Sequence, residues 1–292
     1  MSTQTQPHVL LDGLGMGESP RWHDGRLWVC DWGASEIVVT QLDGSSETIG
    51  DLPTGLGWSI GWLPDGTLLM TGHDLMRREP GGTWDVHAKL SELSTFGWSE
   101  MTIDGRGNVY ANTINFDFAT DFMTVMEEGR APGKIALVTP DGDVRQVADE
   151  IRFPNGMVVT PDNSTLIVSE SFAPALTAFD IAPDGTLSHR RTWAGGDHVG
   201  PDGICLDSDG AIWTSSAAGT SDVIRVREGG EVVQRFTLED PCFATMLGGP
   251  ERRTLFMVTN PWSGTGGVEE NIAKRASKVL MVDVDVPGAG WP

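Results

Sequence analysis

The sequence has few of the residues that several classes of function require. It carries 20 lysine and arginine residues against 41 aspartate and glutamate residues, which gives a formal net charge of -21. Nucleic acids and anionic membranes are bound through clustered cations that displace counterions, so neither is expected as a partner. The three cysteines, Cys30, Cys205 and Cys242, are far apart in apolar surroundings and are expected to be buried free thiols.

Long hydrophobic runs are also missing. No stretch approaches the roughly 20 apolar residues that would span a bilayer, and the N-terminus MSTQTQPHVL has no apolar segment of signal-peptide length. A cytoplasmic protein that acts on a small molecule is therefore expected. The sequence has no Gly-x-Ser-x-Gly elbow and no glycine-rich phosphate loop, so it supports neither a serine-hydrolase triad nor a doubly wound nucleotide-binding fold.

The sequence does contain a turn-and-strand pattern that recurs six times. Each copy is a Gly- or Asp-rich turn followed by an apolar run. The first apolar residues after the turns are Leu27, Leu68, Val109, Leu166, Ile212 and Leu255, with successive spacings of 41, 41, 57, 46 and 43. Each spacing suits one four-stranded propeller blade, and a weaker hairpin signal falls between successive turns. The pattern predicts an all-β, six-bladed β-propeller around a central channel, with residues 1–292 as a single domain.

Two segments outside this repeat have specific expected places. The run KVLMVDVDV at 278–286 is expected to pair with the N-terminal HVLLDG and close the ring, because closure removes exposed strand edges. The long third period contains an insertion at 115–134 that is rich in Phe and Met. This insertion is interpreted as a lid or rim at the channel mouth, with packing against neighbouring blades as the alternative.

Equivalent positions before each turn are expected to form a ring at one mouth of the channel. Counting back from the turns places six residues in this ring: Glu18, Trp58, Ser99, Asn155, Asp202 and Thr245. Two carboxylates, an amide oxygen and a hydroxyl from different blades form an all-oxygen site, which suits a hard divalent cation. Ca²⁺ is expected first because it tolerates irregular coordination, with Mg²⁺, Mn²⁺ and Zn²⁺ as alternatives. Taken singly, Asn155-Gly156 and Asp202-Gly203 are ordinary turn dipeptides, and only their shared register favours metal ligands.

At these positions the sequence resembles the SMP-30/gluconolactonase/LRE-like family. The matching segments are GESPRW at 17–22, FPNGMVVTPD at 153–162, PDGICLDSDGAIW at 201–213 and, more loosely, LGGPERRTLFMVT at 247–259. The resemblance implies a six-bladed propeller with one divalent cation held by Glu18, Asn155 and Asp202. It also implies that Asp202 is the general base.

One segment departs from the family pattern. Family members that act on sugar lactones usually carry an arginine and an Asn-Asp pair at the start of the third blade, whereas this chain reads GWSEM at 97–101. Without that arginine, a hydrophobic lactone or ester is expected as the substrate. The residues expected to contact it in an apolar, flat-walled pocket are Trp58, Trp98, Ser99, His73, Asn115, Phe172 and Trp262.

The reaction expected at this site is hydrolysis, in which the cation polarises the substrate carbonyl and a carboxylate activates water. Asp202 is the first candidate for the base. Glu100 is the rival, because a metal-bound carboxylate is a weak base and Glu100 lies one residue beyond the ring. His73 and His198 are expected to be surface or rim residues.

Two other classes of function remain open from the sequence. One is a calcium-binding propeller without turnover, since the same ligands would serve a structural metal. The other is a related propeller chemistry, such as epoxide or phosphotriester hydrolysis, or a metal-free condensation of the strictosidine-synthase kind. The condensation requires no bound cation. The Glu, Asn and Asp residues of the ring argue against it, because they predict a cation site.

Overall fold

The computed structural model describes residues 6–50, 52–53, 55, 57–196, 201–215, 220–261 and 268–290. These residues form 24 strands and two helices, and the strands make up six four-stranded antiparallel sheets. The sheets are the blades of a six-bladed β-propeller, so the predicted fold class is confirmed. Among the described residues, no helix is both long enough and apolar enough to cross a membrane.

The first three blades follow one another along the chain, each running from its innermost to its outermost strand. Blade 1 consists of β2 (Gly17–His23), β3 (Arg26–Asp31), β4 (Glu36–Thr40) and β5 (Ser46–Ile49). Blade 2 consists of β6 (Ile60–Trp62), β7 (Leu68–Met70), β8 (Leu75–Arg78) and β9 (Trp84–Ala88). Blade 3 consists of β10 (Met101–Ile103), β11 (Val109–Thr113), β12 (Gly133–Val138) and β13 (Val144–Ile151).

The other three blades complete the ring. Blade 4 consists of β14 (Pro154–Val159), β15 (Thr165–Glu170), β16 (Ala175–Ile181) and β17 (Leu187–Gly195). Blade 5 consists of β18 (Cys205–Leu206), β19 (Ile212–Ser215), β20 (Asp222–Val226) and β21 (Val232–Thr237). Blade 6 consists of β22 (Cys242–Gly248), β23 (Thr254–Thr259), β24 (Ser277–Asp283) and, outermost, β1 (His8–Leu14). Helix α1 (Phe118–Glu127) lies between β11 and β12, and α2 (Val268–Lys274) precedes β24.

The two ends of the chain meet in blade 6, as the sequence predicted. His8 pairs with Met281 and Val9 with Leu280, so the N-terminal strand completes a sheet whose other strands come from the C-terminal end. The link from β1 to β2 is fixed by the buried carboxylate of Asp31, which accepts hydrogen bonds of 2.9 Å from the backbone N–H groups of Gly15 and Met16. Asp31 therefore ties the closing strand to blade 1.

The core lies between neighbouring blades, because each sheet is covered on both faces. One hydrophobic cluster joins Leu69 and Leu75 of blade 2 to Ile103 and Val109 of blade 3, and similar clusters join the other blades. Strands buried on both faces need apolar residues at successive positions, which explains continuous runs such as Leu166–Val168. Cys30, Cys205 and Cys242 are all free and buried in this core, as expected.

The insertion in the third blade forms a short helix. Asp117 caps α1 by accepting hydrogen bonds from the backbone N–H groups of Ala119 and Thr120, at 2.9 and 3.2 Å. Five rings meet around this segment, three from the insertion and two from blade 4: Phe116, Phe118, Phe122, Phe153 and Phe172. The insertion thus packs against blade 4, and its action as a lid stays a prediction.

Candidate functional site

Close approach of the innermost strands explains the two glycines of the candidate site. A Cβ atom on Gly156 would lie 2.5 Å from the backbone N of Ile204, and one on Gly203 would lie 2.6 Å from the Cβ of Ala244. Neither glycine has the left-handed backbone of a turn. The Asn-Gly and Asp-Gly dipeptides therefore mark strands that crowd around a channel, not chain reversals.

Three acidic side chains from blades 1, 3 and 5 repel one another here. Burial raises the pKa of Glu18 well above its usual range, and repulsion from Asp202 and Glu100 adds to the increase. Burial, followed by repulsion from Glu100, raises the pKa of Asp202 to about 8, whereas the Asn155 amide acts in the opposite direction. The site therefore holds more negative charge than its own donors neutralise.

One oxygen of Asp202 has no partner. Its Oδ1 atom is buried without a hydrogen bond, whereas its backbone carbonyl accepts from the Oγ of Ser169 at 2.6 Å and from the N–H of Gly156 at 3.3 Å. The backbone is thus held firmly, while one oxygen of the carboxylate has no hydrogen-bond partner. A buried, unpartnered carboxylate oxygen is energetically costly, and a bound cation would remove that cost.

Asn155 is held by residues that the sequence analysis did not single out. The side chain of Asn112 donates to the Asn155 carbonyl at 2.6 Å, and the amide of Asn155 donates to the Oγ of Ser171 at 3.3 Å. Ser171 in turn donates to the carbonyl of Pro201, next to Asp202, at 3.0 Å. These bonds fix the positions of blades 4 and 5 relative to each other. No sequence motif marks them, because they join different blades.

Glu100, the rival candidate for the base, has both oxygens engaged. Arg21 Nη2 donates to Glu100 Oε2 at 3.1 Å and to the carbonyl of Met101 at 3.0 Å. The Oγ of Ser19 donates to Glu100 Oε1. Ser19 and Arg21 belong to the same GESPRW segment as Glu18, so the sequence itself places them near the site. It does not indicate that they bind Glu100.

The channel below this ring is narrow. A cavity of about 10 Å³ is lined by Ser19, Glu100, Gly156, Gly203 and Thr245, which leaves room for about one water molecule. This cavity is too small to admit a molecule the size of a lactone or an ester.

The ring position in blade 6 is Phe243, and the choice of Thr245 is corrected. The N–H of Gly203 donates to the carbonyl of Phe243, just as the N–H of Gly156 donates to the carbonyl of Asp202. The turn of blade 6 is two residues longer than that of blade 5, because seven residues separate the paired Leu247 and Leu255 whereas five separate Leu206 and Ile212. Counting back a fixed number of residues from the turn therefore selected Thr245, two positions beyond Phe243.

Two of the predicted substrate contacts belong to the core in this structure. Trp58 and Trp98 have no exposed surface. Trp98 packs between blades 2 and 3 and donates its Nε1–H to the carbonyl of Leu90 at 3.2 Å. Trp58 packs between blades 1 and 2, and its Nε1–H is buried without a partner. Neither indole offers an open wall to a ligand, and their contact with substrate stays a prediction.

The remaining predicted contacts that the structure describes differ in exposure and in their partners. Ser99 is half-buried and His73 is exposed. Asn115 has a left-handed backbone with φ of 58°, and its side-chain oxygen accepts a hydrogen bond from the Oγ of Ser94 at 2.9 Å. Phe172 lies 4.5 Å from Phe153, centroid to centroid, within the aromatic cluster. Trp262 and His198 lie outside the described residues.

The part of the chain that the structure describes holds no group of three or more His, Cys, Asp or Glu side chains arranged for a metal ion. The predicted ligands comprise only two carboxylates, from Glu18 and Asp202, together with the Asn155 amide. Oxygen donors of this kind suit a hard cation. The unpartnered Oδ1 of Asp202 is the feature that fits such an ion.

Known proteins share both the sequence and the fold. The chain is 26% identical over 297 residues to the pentonolactonase XacC of Haloferax volcanii, covering 97% of this chain and 96% of that protein. It is 24% identical over 169 residues to the diisopropyl-fluorophosphatase of Loligo vulgaris, and this match spans 55% of the chain and 53% of that protein. The structure of regucalcin from Agrobacterium tumefaciens, a calcium-binding protein, superposes with a TM-score of 0.79 at 20% identity, over 98% of this chain and 95% of that one.

A family assignment follows from a match that covers most of the sequence. Residues 16–260 match the SMP-30/gluconolactonase/LRE-like region, a span that includes all six innermost strands and every predicted ligand. The chain therefore belongs to the SMP-30/gluconolactonase/LRE-like family.

Proposed function

We propose that the chain is a divalent-metal-dependent hydrolase that opens a small, fairly hydrophobic lactone or ester. The observation that carries this proposal is the buried Oδ1 of Asp202, which has no partner and lies in a site shared with Glu18 and Glu100. A cation held by Glu18, Asn155 and Asp202 would reduce the repulsion between the carboxylates. It would also give the buried Oδ1 of Asp202 a partner. Ca²⁺ is our first choice, with Mg²⁺, Mn²⁺ and Zn²⁺ as alternatives.

The bound cation would supply a Lewis acid that polarises the substrate carbonyl. The chain itself contributes the base, which accepts a proton from the attacking water. Asp202 is preferred for this role because both oxygens of Glu100 already accept hydrogen bonds from Arg21 and Ser19. In this proposal Glu100 positions its neighbours through those bonds and does not act as the base.

A hydrophobic substrate is favoured by the surroundings of Asn155. Phe153 lies two residues before it and contacts four other rings, including Phe172 at 4.5 Å and Phe116 at 6.0 Å. Flat aromatic surfaces of this kind favour an apolar or aromatic acyl group. The segment 97–101 also lacks the arginine that would bind a polyol. The substrate class therefore rests on Phe153 and its cluster and on the third-blade departure.

Hydrolysis of a phosphotriester is the second candidate function. It is favoured by the similarity to a protein named diisopropyl-fluorophosphatase, which spans about half of that protein's length. The same cation and the same base would serve both reactions, because each proceeds by attack of water on a polarised centre.

A screen of metals and substrates tests the proposal. Protein stripped with EDTA is reloaded with each of the four cations and assayed with gluconolactone, dihydrocoumarin and an aryl phosphotriester. We expect Ca²⁺-dependent turnover that favours dihydrocoumarin over gluconolactone by about tenfold or more in kcat/KM. Glu18→Gln should abolish turnover, whereas Glu228→Gln, at an exposed glutamate, should leave it unchanged.

Each of the other outcomes of that screen has a definite meaning. Faster cleavage of gluconolactone would overturn the hydrophobic substrate class but not the hydrolase. Preferred cleavage of the phosphotriester would favour the second candidate. Calcium binding without turnover of any compound would favour a calcium-binding propeller that has no catalytic function.

A further inference from the structure

A second, larger cavity lies at the opposite end of the channel. Strands β2, β6 and β10 begin near Glu18, Trp58 and Ser99 and end at His23, Trp62 and Ile103. At these ends a cavity of about 220 Å³ opens between blades 1, 2 and 3. None of the proposed metal ligands lines it, so nothing assigned to the carboxylate site accounts for this cavity.

The walls of this cavity are flat and held in place. The ring of His23 stacks on Trp62 with 4.0 Å between centroids and 7° between planes. Trp62 also meets Trp28 edge-on at 5.0 Å, and Trp22 stacks on Phe256 at 5.6 Å. Aromatic side chains fixed in this way present preformed faces against which another flat ring packs well.

Arg21 and Asp104, two charged groups that line the cavity, already have partners. Arg21, which lines both cavities, is paired with Glu100. The buried carboxylate of Asp104 accepts hydrogen bonds of 2.9 Å from the N–H of Arg106 and from both the N–H and the side-chain amide of Asn108. A charged ligand would lose its hydration and find no free counter-charge, so the cavity suits an uncharged molecule.

The volume sets the size of the ligand. An apolar cavity of about 150 Å³ in another protein binds benzene, so a cavity of 220 Å³ has room for a fused pair of rings. From the volume, the flat walls and the charged groups that already have partners, we propose that this cavity is a second binding site for a small, flat, uncharged aromatic molecule of one or two rings. The proposal is independent of the chemistry at the carboxylates.

Indole serves as the probe of this site. Titration calorimetry of the whole chain with indole is expected to show one bound molecule. Leu63 lines the cavity, so Leu63→Trp fills it and should weaken binding by about tenfold or more. Ser208→Trp adds the same indole side chain at an exposed position in a different turn, outside the cavity, and should leave binding unchanged. Circular dichroism and the thermal midpoint show whether each variant is folded.

A second variant and a crystal structure test whether indole binds in this cavity. Trp62→Leu keeps an apolar side chain but removes one flat wall, and it should also weaken indole binding by about tenfold. Crystals soaked in 5-bromoindole should show anomalous density between Trp22 and Trp62. The proposal is overturned if indole does not bind, if both folded variants bind it as tightly as the unaltered chain, or if the bromine lies elsewhere.

Discussion

Arg21 and Glu100 lie 79 residues apart in the chain and form an ion pair inside the channel, with 3.1 Å between Nη2 and Oε2. Both side chains are largely shielded from solvent, with exposed fractions of 12% and 7%. The pair separates the carboxylate site from the cavity at the far mouth. It also keeps the charge of Glu100 close to Glu18 and Asp202, where that charge raises the pKa of both groups.

Arg21→Met is expected to destabilise the protein strongly. The change leaves the buried carboxylate of Glu100 without its counter-charge, and breaking a buried pair in this way costs about 3–5 kcal/mol. Urea unfolding in EDTA measures the effect. Arg227→Met breaks an ion pair with Glu231 that is exposed on both sides and should change stability little. Adding Glu100→Gln to Arg21→Met should recover much of the loss, and equal stability of the two arginine variants would contradict the prediction.

Glu18→Gln is expected to stabilise the protein when metal is absent. Burial and the repulsion from Asp202 and Glu100 disfavour the charged form of Glu18, and a neutral amide of similar shape removes that penalty. The thermal midpoint in EDTA should rise by a few degrees. The same variant should lose the increase in midpoint that Ca²⁺ gives to the unaltered chain. A lower midpoint in EDTA, with Ca²⁺ stabilisation retained, would show that Glu18 is not a ligand.

Stability of the metal-free protein should fall as pH rises from about 4 to about 8. Asp202 has a folded-state pKa of about 8, above its value of about 3.9 in the unfolded chain. Between these values the folded state binds more protons than the unfolded state, so raising the pH favours unfolding by up to about 1.4 kcal/mol per pH unit. Unfolding free energies at several pH values, in EDTA, should show a shallower decline for Asp202→Asn. Parallel pH profiles for the unaltered chain and Asp202→Asn would show that Asp202 does not cause the decline in stability.

Asp202→Asn and Glu100→Gln should separate the two candidates for the base. If Asp202 takes the proton from water, its amide variant should lose about 10²–10⁴-fold in kcat on the substrate found by the metal screen. Glu100→Gln should lose far less, because both Glu100 oxygens are already engaged by Arg21 and Ser19. Bound Ca²⁺ is measured for each variant, so that loss of the ion is not mistaken for loss of the base. The reverse ranking with the ion retained would assign the base to Glu100.

Asp31→Ala should weaken the attachment of the closing strand β1 to blade 1. The buried carboxylate bonds the N–H groups of Gly15, Met16 and Gly33, and leaving these donors unpaired should cost about 3–5 kcal/mol. Asp43 also accepts a backbone N–H, but in an exposed hairpin turn, so Asp43→Ala is the matched control and should leave the unfolding midpoint nearly unchanged. Similar midpoints for the two variants would show that Asp31 does not hold the closing strand.

The sequence predicted the blades well, because their turns repeat the same local chemistry. Asn155 and Asp202 could be placed in one ring because each lies four residues before the last paired residue of its strand, Val159 or Leu206, whereas the longer turn of blade 6 misplaced Thr245. Contacts between blades were harder to foresee. The pairing of Arg21 with Glu100 depends on how neighbouring strands approach each other in space, which no spacing along the chain encodes.

The tryptophans show a second limit of sequence reasoning. Trp58 and Trp98 were expected in a substrate pocket because Trp58 belongs to the ring and Trp98 lies beside it, yet neither has exposed surface. In a propeller, the residue beside the channel and the residue between blades differ by one step along a strand, since successive side chains point to opposite faces. Trp22 ends the GESPRW segment and Trp62 belongs to no motif, and neither position predicted the far cavity that both residues line.

The strand that closes the ring has a consequence for biosynthesis. β1 emerges from the ribosome first, but its partner β24 is among the last strands to be made. Until β24 is made, the growing chain must therefore carry β1 without its partner, alongside five blades that cannot yet form a circle. Unpaired strands are templates for association with other chains. The ring can close only once β24 has been made, and a nascent chain that stalls before residue 277 would be left with an open arc.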